Sequence, residues 1–147
     1  MIELITANEI KQQLTFVKNL DEQMLNPYIA TTIDIHLTEL IGAKLVASLK
    51  NGEHEDLLPL VKNYLMWQVL SEVVIPLTFK LRNAGVVNST GEHIQVVSMK
   101  DAEVLKSEYA NKAHNYQDVL LKELQKQELI CCCCSNHNFN GVSIFLN

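Results

Sequence analysis

The stretch "RNAGVVNSTGEHIQVVSMKDAEVL", Arg82 to Leu105, interrupts a chain whose apolar residues otherwise recur at spacings of three and four. Val86-Val87 and Ile94 to Val97 are β-prone runs. The "NSTG" between them fits a four-residue type I loop, with Gly91 supplying the positive φ. A β-hairpin over about residues 86–97 is therefore expected. Strand alternation places Ile94 and Val96 on one face and His93, Gln95 and Val97 on the other. A lone two-stranded hairpin buries little and leaves both edges open. The chain carries no other convincing strand, so the hairpin packs on its own helices or joins another molecule.

On both sides the pattern is helical. After the hairpin, Ser98 with Asp101 resembles a capping box. The long helix it opens has the apolar stripe Ala102, Leu105, Tyr109, Ala113, Tyr116, Leu120 and Leu124. Glu108 with Lys112 and Asp118 with Lys122 are i,i+4 pairs expected on its wet side. Tyr109 and Tyr116 on that stripe are read as packing residues with wet hydroxyls. Before the hairpin, Leu57, Leu60, Val61, Tyr64, Leu65, Trp67 and Leu70 surround one helix, which marks it as the most buried element, with Trp67 in the core. Pro76 predicts a kink or break near Val74 and Ile75.

Towards the N-terminus, Thr6 and Glu9 form a T-x-x-E capping box, so a first helix should begin at about Ala7. "NLDEQML" reads as a turn, and Asn26-Pro27 as an N-cap with proline at the first position of a helix ending near Ile41. Gly42 is a C-cap candidate. A short helix "AKLVASLK" then stops at Asn51-Gly52. The expected fold is mainly α: one helical bundle over residues 1–129 with the inserted hairpin, followed by a C-terminal tail over 130–147 that is ordered by a partner.

The 147 residues suit one domain, and 12 Lys and Arg against 17 Asp and Glu give a formal charge of −5. That balance argues against a nucleic-acid binder. The start, "MIELITANEIKQQL", has neither the basic region nor the apolar core of a secretory signal, the uncharged runs inside the body are too short to span a bilayer, and the uncharged tail from Leu129 to Asn147 is too polar in its middle, "SNHNFNG", to cross one. All four cysteines are consecutive, Cys131 to Cys134, which suits no disulfide framework and points to a reducing cytoplasm. Zinc ligands come as spaced pairs from two segments, and only His137 lies near, so no metal is expected. His36, His54, His93, His114 and His137 show no metalloprotease spacing and are read as surface or interface residues. With no nucleophile elbow and no Gly-rich phosphate loop, neither an enzyme nor a cofactor is expected.

Taken in order, "DIHLTELIGAKLVASL", the long apolar helix, "RNAGVVNSTGEHIQVVSM" and "YANKAHNYQDVLLKEL" resemble the head-to-tail connector (neck ring, head-completion) proteins of tailed bacteriophages. The similarity is closest to the versions from Bacteroidetes and crAss-like phages. It covers roughly residues 1–129. It is most telling from Asn83-x-Gly85-Val86-Val87 through Gly91-Glu92-His93 to Ala113 and Tyr116. The resemblance implies a structural virion protein, assembled in the host cytoplasm, that forms a ring, usually of twelve copies, beneath the portal. Such a ring joins the head to the tail and lets DNA pass without sequence-specific binding. Portal and other neck or tail proteins are then its partners, and no membrane is involved. A small helical adaptor or regulatory protein acting as an oligomer on a protein partner is the alternative.

Two sets of residues are assigned to contacts between molecules. Val86, Val87, Ile94, Val96 and Val97 of the hairpin face a neighbouring subunit or the portal. In the tail, Val142, Ile144 and Leu146 alternate in a way that suits strand addition, and with Phe145 they form a partner-docking segment. Left exposed, these four side chains would invite association.

Overall fold

A computed structural model describes residues 2–13, 22–83 and 99–130, without the side chains of 13, 77–83 and 99. Its elements are α1 (Ala7–Gln13), α2 (Glu22–Thr31), a π-helical segment (Thr32–Leu37), α3 (Thr38–Ile41), α4 (Ala43–Lys50), a 3₁₀ turn (Glu55–Leu57), α5 (Leu58–Asn83) and α6 (Met99–Lys126). The protein is mainly helical, as the periodicity requires. The hairpin expected over 86–97 and the tail residues 131–147 lie outside the described residues.

The capping box forms as the sequence predicts. The Glu9 N–H donates to Thr6 Oγ1 at 3.2 Å, and the Thr6 N–H donates back to Glu9 Oε2 at 2.8 Å. Helix α2 departs from expectation. It starts at Glu22, so Glu22 to Leu25 are helix rather than turn, and Pro27 lies inside it rather than at its first position. A proline there removes one intrahelical hydrogen bond and crowds the preceding turn, a cost of about 3 kcal/mol. The extra turn is held by Leu25, which is fully buried, and by Ile29 beyond it.

From Glu22 the chain then runs helically to Ile41, close to the expected end, but through a π-helical segment that the sequence reading lacks. At its exit the Thr38 N–H reaches the Ile33 carbonyl, five residues back. The Thr38 hydroxyl donates to that same carbonyl at 3.0 Å. The cause is legible in the burial. Leu25, Ile29, Ile33, Leu37 and Ile41 are all buried, at a strict spacing of four. On an α-helix each such step drifts by about 40°, so five positions would wind well off one face. The wider π turn absorbs the drift.

Gly42 caps the run with φ 84°, its N–H bonded to the Thr38 carbonyl at 2.9 Å. The short helix α4 ends at Asn51-Gly52 as predicted. Gly52 has φ 86°, and a Cβ there would stand 3.1 Å from the Ile2 side chain. The positive φ is what favours glycine here, since the exposed end of Ile2 can give by a few tenths of an ångström.

Helix α5 is the centre of the molecule. Val61, Leu65, Val69 and Val73 are fully buried, and Tyr64, Met66, Leu70 and Val74 nearly so. They point in every direction around the helix because α2 and the π segment pack on one part of it and α6 on another. No break occurs at Pro76: α5 continues to Asn83.

Helix α6 presents the predicted stripe. Ala102, Tyr109, Ala113, Leu120 and Leu124 are buried, with Leu105 and Tyr116 packed at its margin. It runs antiparallel to α5, since Gln127 after its end hydrogen-bonds Asp56 before the start of α5. At 26 and 28 residues the two helices are about 39 and 42 Å long. Residues 84–98 join them at the opposite end.

Candidate interaction surfaces

None of the residues assigned in sequence to intermolecular contact, Val86, Val87, Ile94, Val96, Val97, Val142, Ile144, Phe145 and Leu146, falls among the described residues. Three surface features stand out from the described helices.

The first is the α5–α6 seam. Trp67 is half-buried rather than fully in the core. Its ring centroid is 5.6 Å from that of Tyr109, with the planes tilted by 44°. The Lys112 ammonium sits 4.3 Å from the Trp67 centroid, so this lysine turns to the indole face instead of extending towards Glu108. Burial, with the nearby Glu108 charge, holds the Tyr109 hydroxyl above its usual range. Tyr64 is pushed up to about 12 by burial and then by Glu39. Both tyrosines are therefore neutral packing groups, and sequence placed Tyr109 correctly. Asp118, expected to meet Lys122, faces His114 at 4.0 Å.

The second feature is a pair of outer faces. On the π segment Ile35 is 49% exposed beside Asp34. His36 Nε2 stands 3.9 Å from Glu72 on α5, which also accepts a hydrogen bond from Gln68. On the far side of α6, Val104 and Val119 are 54% and 47% exposed. In the same π segment as Ile35, the hydroxyl of Thr32 is buried with no hydrogen-bond partner.

The third is an open groove of about 380 Å³ between α1 and α5, lined by Ile5, Glu9, Gln12, Lys62, Asn63 and Met66. Lys62 donates to Glu9 Oε1 and closes an ion pair across its middle. Partial burial raises the Glu9 carboxyl. The hydrogen bonds from Lys62 and from the Thr6 backbone, with the Lys62 charge, outweigh that and hold it below its ordinary 4.5. Sequence reading found Glu9 as a cap but not this second partner, which lies 53 residues away.

Among the described residues no three His, Cys, Asp or Glu side chains gather as a metal site. None of the described helices is long and apolar enough to cross a membrane. Comparison with known proteins gives one family match, over residues 9–140, most of the chain. The chain belongs to the family of unknown function DUF6712. The match to DUF6712 takes in every described element from within α1 to the end of α6 and extends past the cysteine run. No curated protein and no solved structure matches it.

Proposed function

We propose that this protein is a ring-forming subunit of a phage neck, seated beneath the portal and joining the DNA-filled head to the tail. The observation that carries the reading is that the described helices already spend their apolar faces on one another. In sequence, residues 86–97 fall between two antiparallel helices of about 40 Å that are paired along their length. The apolar stripe of α6 is spent on α5, and the buried positions of α5 are spent on α6 and on the N-terminal helices. The valines and isoleucine of the hairpin are thus left to find partner area in another copy or in the portal. A contact of this kind, repeated around a closed rotation, gives a ring.

The acidic balance of the chain, −5 overall, agrees with the wall of a conduit along which phosphates slide without being gripped. The tail after Ile130, which itself packs on the core, is the second intermolecular element, docking on a neighbouring neck component in the assembled state.

The test is Ile94→Asp combined with Val96→Asp. Helical circular dichroism should be unchanged, while ring assembly and co-sedimentation with the portal are lost. Unchanged assembly would remove the hairpin from the contact. A fall in helicity would place it in the core of the monomer.

A further inference from the structure

The groove between α1 and α5 has a floor of Ile5 and Met66, rims of Gln12 and Asn63, and a central Glu9–Lys62 pair that cancels its own charge. It therefore suits an occupant without charge, with apolar side chains for the floor and polar backbone for the rims. The side-chain amides on its two rims offer both donors and acceptors to a peptide backbone. The chain's C-terminal stretch has matching chemistry, since from Leu129 to Asn147 there is no Asp, Glu, Lys or Arg, and Val142, Ile144, Phe145 and Leu146 are apolar.

We propose that this groove is the seat of the chain's own C-terminal segment, residues 142–146, in the unassembled subunit. The reach decides it. Helix α6 ends beside the start of α5, where Gln127 bonds Asp56, and Leu129 and Ile130 still pack on the core. From Asp56 to Met66 is about 15 Å along α5. Residues 131–141, between Ile130 and the apolar segment, span up to about 36 Å when extended. The tether is thus more than twice as long as the axial distance, without strain, and it supplies the segment at an effective concentration in the millimolar range. Seating also covers four apolar side chains that would otherwise promote association. In an assembly the same segment exchanges onto a partner, but the seat itself does not depend on the ring.

Disulfide trapping tests this in the full chain. Cys131, Cys132, Cys133 and Cys134 are replaced by Ser, and Phe145→Cys is combined either with Gln12→Cys or, for comparison, with Val104→Cys on the outer face of α6. Dilute protein is mildly oxidised, then resolved by non-reducing electrophoresis and peptide mass mapping. An intrachain disulfide forming at least about tenfold faster at position 12 than at position 104 is expected from the local concentration. Equal rates at the two positions, no disulfide, or only interchain disulfides would overturn the seat. Native mass of the unoxidised protein with and without portal reads the ring separately, so the failure of one reading is not mistaken for failure of the other.

Discussion

Two residues carry opposite lessons about how much a single position reveals. Thr32 is 1% exposed, and its hydroxyl has no partner. An orphaned buried hydroxyl forfeits its hydration, a cost of about 1–3 kcal/mol. Thr32→Val keeps the branched shape and removes the polar atom, so it should raise the free energy of urea unfolding by about 1 kcal/mol. A loss of stability would show that the hydroxyl is satisfied after all. Glu9 is satisfied twice, by the Thr6 backbone and by Lys62, and its carboxyl is held below 4.5. A depressed folded-state value means that the ionised form favours folding. This contribution is full above 4.5 and disappears as pH falls through the lower folded value. The melting temperature of wild type should therefore exceed that of Glu9→Gln at pH 7, with the gap closing as pH is lowered below 4.5. A gap that persists at the lowest pH would mean that the cap acts without its charge. The capping half of Glu9 was legible because a cap is local, three residues wide. The Lys62 half was not, because it depends on how two helices meet.

At the scale of elements, the helices were read from apolar spacing, and the two long ones were placed well because their periodic stretches are long. The errors fall where spacing and backbone chemistry compete. Pro27 suggested a helix start yet lies inside α2, where buried Leu25 and Ile29 outweigh one lost hydrogen bond, while at Pro76, where a kink or a break is expected, α5 continues without a break. The π-helical segment had a signal that a 3.6-residue template does not register, the unbroken spacing of four from Leu25 to Ile41. That signal makes a prediction. Deleting Asp34, which is exposed, removes one residue from the π segment and lets the run close as a plain α-helix. The wide turn withholds roughly 100°, about one α residue's worth, so the shortened helix keeps Leu37 and Ile41 on the core face, with the buried positions now at spacings of four, four, three and four. The deletion should therefore lower the urea midpoint little more than Asp34→Ala, which removes only an exposed side chain. A collapse of the midpoint on deletion would mean that the π turn does not serve to absorb the drift. Lys112 gives a milder test of the α5–α6 seam. Lys112→Ala should lower stability by about 0.5–1 kcal/mol through loss of the contact with Trp67, read as a shift in the urea midpoint.

For the whole molecule, the core was legible because its partners lie within the chain, while the residues assigned to contacts between molecules were legible only as apolar side chains in search of cover. On the proposed reading the cover of the hairpin belongs to a second molecule, and no periodicity in one chain states its identity. The ring reading nevertheless has a consequence that depends on copy number and not on any one contact. In a heterologous ring every subunit gives its hairpin to one neighbour and receives another, so a single defective hairpin breaks the circle. Subunits carrying Ile94→Asp and Val96→Asp keep the receiving surface, and they enter growing arcs without allowing closure. If about one subunit in ten is the variant and twelve are needed, only about a quarter of the circles would contain none. An isologous dimer under the same mixing would keep about four-fifths of its pairs free of the variant. Mixing wild type and variant before adding portal, then counting closed rings by mass photometry or electron microscopy, separates the two. A yield that falls steeply and out of proportion to the variant fraction is expected for a neck ring. A fall that merely tracks pairwise dilution would make the assembly a small oligomer and favour a helical adaptor over a connector.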